Sequence, residues 1–118
     1  MSEIHRLVAT SVILYFALLG IWGLVLALRK SELSSAYRGA LTIGVLLGGV
    51  QALIGVLLVV TGRQPRDPLH YLYGLLVVGT IPLVQQYLST RKFSKVLGFG
   101  LASVFTMGLA IRALTTGA

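Results

Sequence analysis

Asp67-Pro68-Leu69-His70-Tyr71-Leu72-Tyr73-Gly74 opens an apolar run that reads as a helix with a histidine in its first turn. Asp67 is a cap-type residue and Pro68 takes the favoured first helical position, so His70 becomes the third residue of that helix. The chain's only other histidine has nearly the same setting, Ser2-Glu3-Ile4-His5-Arg6-Leu7-Val8-Ala9. In both segments a cap-type residue (Ser2, Asp67) stands three before the histidine and an aliphatic residue directly precedes it. Leu follows two later, and a small residue (Ala9, Gly74) four later.

Around these segments the chain is apolar. Of 118 residues, 56% are hydrophobic and 11% charged, against about 25% charged in a soluble domain. Four runs account for this: Leu7–Leu28, Ala40–Thr61, Leu69–Leu88 and Val96–Leu114. Each supplies the roughly 20 apolar residues that a membrane span needs. The predicted fold is all-α, an antiparallel bundle of four transmembrane helices over 5–28, 38–61, 68–89 and 95–115, in one domain, 1–118. Almost no chain is left for a soluble domain. Glu3 and His5 replace the basic start of a signal peptide, and no cleavage site follows the first run. Without cysteine the chain has no disulfide, thiolate metal site or iron–sulfur cluster. A net charge of +7 would point to nucleic acid in a soluble protein. Here the charges lie between spans and read as topology, so nucleic acid is not an expected partner and the lipid bilayer is.

One side of the membrane receives Arg29, Lys30, Arg38, Arg91, Lys92 and Lys95. The other receives Arg6, Arg63, Arg66 and Arg112. The larger set favours the first side as cytoplasmic, which puts both termini and both histidines on the outer face. The expected location is a prokaryotic plasma membrane.

On a helical wheel His5, Ala9, Val12, Phe16 and Gly23 share one face of the first span. Gly44, Gly48, Gln51 and Gly55 share a face of the second, and Gly44-xxx-Gly48 permits close approach of backbones or of a flat ligand. An unpaired amide in hydrocarbon costs several kcal/mol, so Gln51 should face the interior, bonded across helices or beside a cofactor. Pro82 should kink the third span. Gly98, Gly100, Ala102, Ser103 and Gly108 allow tight packing of the fourth. The matched histidine contexts suggest a weak 2+2 repeat, helices one and two followed by three and four, about a pseudo-twofold axis along the membrane normal.

In a sequential bundle the first and third helices are diagonal and parallel, so His5 and His70 should meet across the core at one depth. That suits one heme b with both imidazoles as axial ligands. Ala9 and Gly74, a turn deeper, leave room for the macrocycle. Arg6, Arg63, Arg66 and Arg112 supply cations for the propionates, with Arg6 and Arg112 expected to approach most closely. The plain alternative is two interfacial histidines bonded to loops or lipid. A di-metal site lacks interior carboxylates, a serine nucleophile lacks a base, and no interior charge marks an ion path. A quinone site using Tyr71, Tyr73 or Gln51 stays open as an unspecific option.

The run His5-Arg6-Leu7-Val8-Ala9 resembles the His-Arg start of a heme-ligating helix in heme A synthases. Gln51-Ala52-Leu53-Ile54-Gly55 through Thr61-Gly62 resembles the helix that follows it there, and His70 the second ligand. The resemblance covers about three of the four spans and implies a four-helix heme site at His5 and His70 on the outer face. The family carries an essential glutamate three before the first histidine, on a longer outer loop that often has a cysteine pair. Here Glu3 is two before His5, cysteine is absent, and the preceding helix and loop are missing. The resemblance therefore implies a small heme-binding relative that transfers electrons or bears the cofactor within a respiratory or photosynthetic membrane complex or a homo-oligomer. A cofactor-free structural subunit packing by its glycine faces, and a small heme-modifying enzyme, are the other readings.

Overall fold

The computed structural model describes residues 3–90 and 94–117. It contains four helices: α1, Glu3–Leu28; α2, Ser35–Val60; α3, Leu69–Ser89; and α4, Lys95–Gly117. Each is long and apolar enough to cross a membrane, the make-up of an integral membrane protein. Ser2, a cap in the sequence reading, and Arg91 and Lys92, counted there with the cations, lie outside the described residues.

The helices follow one another around the bundle. Each packs on its neighbours in sequence, α1 closes the ring against α4, and the pairs α1/α3 and α2/α4 are diagonal. The two halves are not equally packed. α4 lies close against both α1 and α3, whereas α2 stands off from both of its neighbours. This inequality separates α2 from α4, the two helices that a strict twofold repeat would make equivalent.

The tight contact has a residue-level cause. At the end away from the histidines, α1 crosses α4 through Gly20, Gly23 and Gly100. A Cβ at Gly100 would stand 3.1 Å from Leu24 N and 3.3 Å from Gly23 Cα, closer than most side chains pack, and one at Gly23 would stand 2.7 Å from Gly100 Cα. Tyr37 fills the adjoining space fully buried, donates its hydroxyl to Leu19 O at 2.9 Å, and meets the Trp22 ring edge-on at 5.1 Å. Phe16, Leu19 and Leu41 extend this core, while Tyr15 donates to Ala40 O at 2.6 Å.

The helix ends follow local chemistry. α2 begins three residues earlier than the span reading of 38, because Ser34 caps it by accepting from Tyr37 N at 3.1 Å. Tyr37 thus becomes part of the core and not of a polar connection. Ser94 does the same for α4 through Leu97 N. α2 closes on Gly62, which has φ +91°: Gly62 N reaches Val59 O and Arg63 N reaches Leu58 O, the paired bonds of a Schellman ending. α3 starts at Leu69, with Pro68 already in helical dihedrals and Asp67 Oδ1 accepting from Leu69 N at 3.0 Å. Asp67 therefore acts as the cap expected of it, and Pro82 lies inside the continuous α3.

Candidate functional site

The first turns of α1 and α3 face each other across the bundle's diagonal. The His5 and His70 ring centroids are 6.1 Å apart, with the ring planes at 75°. His5 is buried at the end of the α1 stripe Ala9, Val12 and Phe16, all of which are buried as the wheel required. His70 is half-buried.

Each histidine is positioned by a different helix. His70 Nδ1 lies 2.6 Å from the carbonyl of Ala113 on α4. A carbonyl only accepts, so Nδ1 carries the hydrogen and the neutral ring keeps its lone pair on Nε2. That nitrogen makes no hydrogen bond among the described residues. His5 is held through its backbone: Gln51 on α2 donates from Nε2 to His5 O at 2.8 Å. Gln51 thus makes the interhelical bond that a buried amide needs. Its Oε1 is buried and without a hydrogen-bond partner among the described residues. A Cβ at Gly55 would stand 3.4 Å from His5 Cε1, so the glycine lets α2 lie over the imidazole edge.

Both rings border a cavity of about 330 Å³ at this end of the bundle. Its walls are mostly apolar and belong chiefly to α2 and α3, with Gly48, Gln51 and Gly55 facing Gly74 and Val78. A Cβ at Gly74 would meet nothing within 4 Å. The volume falls within the range of small-molecule and cofactor pockets.

The arginines divide. Arg63, placed by the Schellman ending of α2, lines the cavity. Arg66 donates to Thr115 O at 2.6 Å and, with Asp67 N on Thr116 O at 3.0 Å, binds the α2–α3 loop to the last turn of α4. Arg112 lies over the Tyr73 ring at 5.5 Å, and Arg6 is exposed. Neither Arg6 nor Arg112, the two expected nearest a ligand, borders the cavity, whereas Arg63 does. Tyr71 also lines the cavity and donates its hydroxyl to Gln64 Oε1 at 2.9 Å.

Sequence reasoning did not single out Ala113 or the loop over the cavity. The carbonyl that orients His70 has no side-chain signature. Gly62 followed by Arg63 marked the helix end, but not which cation the turn would carry inward.

Chemically, the site offers two imidazole rings 6.1 Å apart, an apolar slot and the Arg63 cation at its rim. No group of three or more His, Cys, Asp or Glu side chains that could hold a metal ion occurs among the described residues. Comparisons with family models, with curated proteins and with solved structures found no match.

Proposed function

We propose that this is a heme-b-binding membrane protein, with His5 and His70 as axial ligands, acting as an electron carrier or as the cofactor-bearing subunit of a redox complex. The approach of the two rings carries this reading. Imidazole nitrogens bind metals at about 2.0–2.1 Å. Two rings on opposite sides of one ion therefore have centroids roughly 6 Å apart, by the same bond lengths. The observed 6.1 Å fits that spacing. A metal held by two protein side chains needs its remaining donors from elsewhere, and a tetrapyrrole supplies four nitrogens. The Nδ1–H of His70 on a backbone carbonyl is the outer-shell bond that fixes a metal-binding tautomer. Gly55 and Gly74 keep side chains out of the slot.

Bound heme, held by His5 and His70, would supply one-electron chemistry. The chain's own part is to hold two imidazole rings at a fixed spacing, exclude water with apolar walls, and present Arg63 to an acid edge. The test is the visible spectrum of protein purified after expression with ample heme. A sharp, low-spin reduced spectrum supports the reading. Absence of a Soret band leaves a cofactor-free structural subunit as the better one.

Arg63→Gln should weaken heme binding by about tenfold, the effect of losing about 1.4 kcal/mol, the low end for a charge-assisted contact at an exposed rim. Arg112→Gln should change it little, since that guanidinium is engaged with Tyr73. Heme titration by absorbance checks both, and equal effects at the two positions would reject the assignment of Arg63.

The charge count between spans supports placing the histidine end on the outer face. A membrane-impermeant thiol reagent applied to intact cells should label Gln64→Cys and spare Glu32→Cys. The chain has no cysteine of its own to confuse the result. Labelling of Glu32→Cys alone would invert the orientation.

A further inference from the structure

We propose that the cavity takes its ligand from the bilayer, through the seam between α2 and α3, and not from the aqueous face above it. This rests on the reading of the cavity as a porphyrin site and adds the route and the physical form of the ligand, a flat amphiphile dissolved in the membrane.

Three observations carry it. The seam is the most loosely packed of the four helix contacts. Its edges are bare: a Cβ at Gly74 would meet nothing within 4 Å, and one at Gly48 only Val77 and Val78, at 3.9 and 4.0 Å. Second, Val56 and Leu75 line the cavity and yet are exposed on the outside of the bundle, at 58% and 71%. A residue that borders both the cavity and the lateral surface marks a mouth, and here the mouth lies among apolar spans. Third, the loop at the aqueous end is tied down: Arg66 and Asp67 fasten it to Thr115 and Thr116 of α4, and Tyr71 donates to Gln64. An amphiphile entering sideways would slide its apolar body between the glycines and leave its acid edge beside Arg63 at the rim.

The wild-type chain, reconstituted into vesicles that already contain heme in the bilayer, tests the route. Uptake followed at the Soret band should proceed at the same rate whether or not excess apomyoglobin is present outside to scavenge aqueous heme. Uptake abolished by the scavenger would overturn the proposal. Metal-free protoporphyrin, followed by fluorescence, runs the same test without iron. Scavenger-resistant uptake of this porphyrin with no bis-imidazole heme spectrum would sink the heme assignment and keep the route, whereas heme uptake that the scavenger abolishes would overturn the route and keep the heme assignment.

Discussion

His70→Ala should abolish the low-spin spectrum of the heme-loaded protein and weaken heme binding by more than about 100-fold, beyond the 10–100-fold typical of losing an outer-shell partner of a metal ligand. His5→Ala should do the same, and the double substitution should leave no Soret band. The expected intermediate form is a five-coordinate, high-spin iron that binds carbon monoxide on the vacated side. The stability effects should differ. His70 is half-buried and bonded to one carbonyl, so its loss should cost about 0.5–1.5 kcal/mol in the cofactor-free protein. His5 is buried between three helices, and its truncation leaves a hole costing roughly 2 kcal/mol or more. Spectral change and thermal unfolding in detergent, measured on the same samples, separate ligation from packing. A low-spin spectrum surviving either substitution would defeat the ligand assignment.

The bundle itself was legible from hydropathy, because each apolar run is long enough to span a bilayer and the connections are too short for anything but antiparallel neighbours. The α1 face His5, Ala9, Val12, Phe16 and Gly23 was legible for the same reason: a single period of 3.6 fixes which residues turn inward. The meeting of His5 and His70 followed from two histidines placed at one depth on diagonal helices. What the pattern could not carry was the relative closeness of the helix pairs. Glycines occur on all four helices, and nothing in their spacing says which two helices will interlock. The glycine face of α2 permits close approach, yet Gly44 meets only side chains and Gly48 has ordinary room around it, while backbone meets backbone at Gly23 and Gly100. Which arginine turns toward the cavity was hidden for a similar reason. Arg66, Arg112 and Arg63 differ in their backbone and ring partners across the fold, not in their own sequence context.

Gly100→Leu should therefore be among the most disruptive glycine substitutions in the chain, together with those at Gly23, where a Cβ would stand 2.7 Å from Gly100 Cα. The nearest atoms to a new Cβ are backbone atoms of Gly23 and Leu24, at 3.1 to 3.3 Å. Backbone cannot swing aside as a flexible side chain can, so α1 and α4 would have to separate along the bundle's tightest contact. Overpacking of cores costs typically 1–3 kcal/mol, and a leucine forced between two helix backbones should exceed that range. Tyr37 would also lose its site, since it is wedged against Gly23 and bonded to Leu19 O. Gly49 offers the contrast: a Cβ there meets nothing within 4 Å. Gly49→Ala should be neutral or stabilise α2 by up to about 1 kcal/mol through helix propensity. Unfolding midpoints in one detergent should thus fall steeply for Gly100→Leu and hold or rise for Gly49→Ala. Because the crossing lies at the end away from His5 and His70, the milder Gly100→Ala should lower the midpoint while any folded fraction keeps the wild-type heme spectrum. If Gly100→Leu unfolded at the wild-type temperature, α1 and α4 would not be in the close contact that sets α2 apart as the loosely held wall of the cavity.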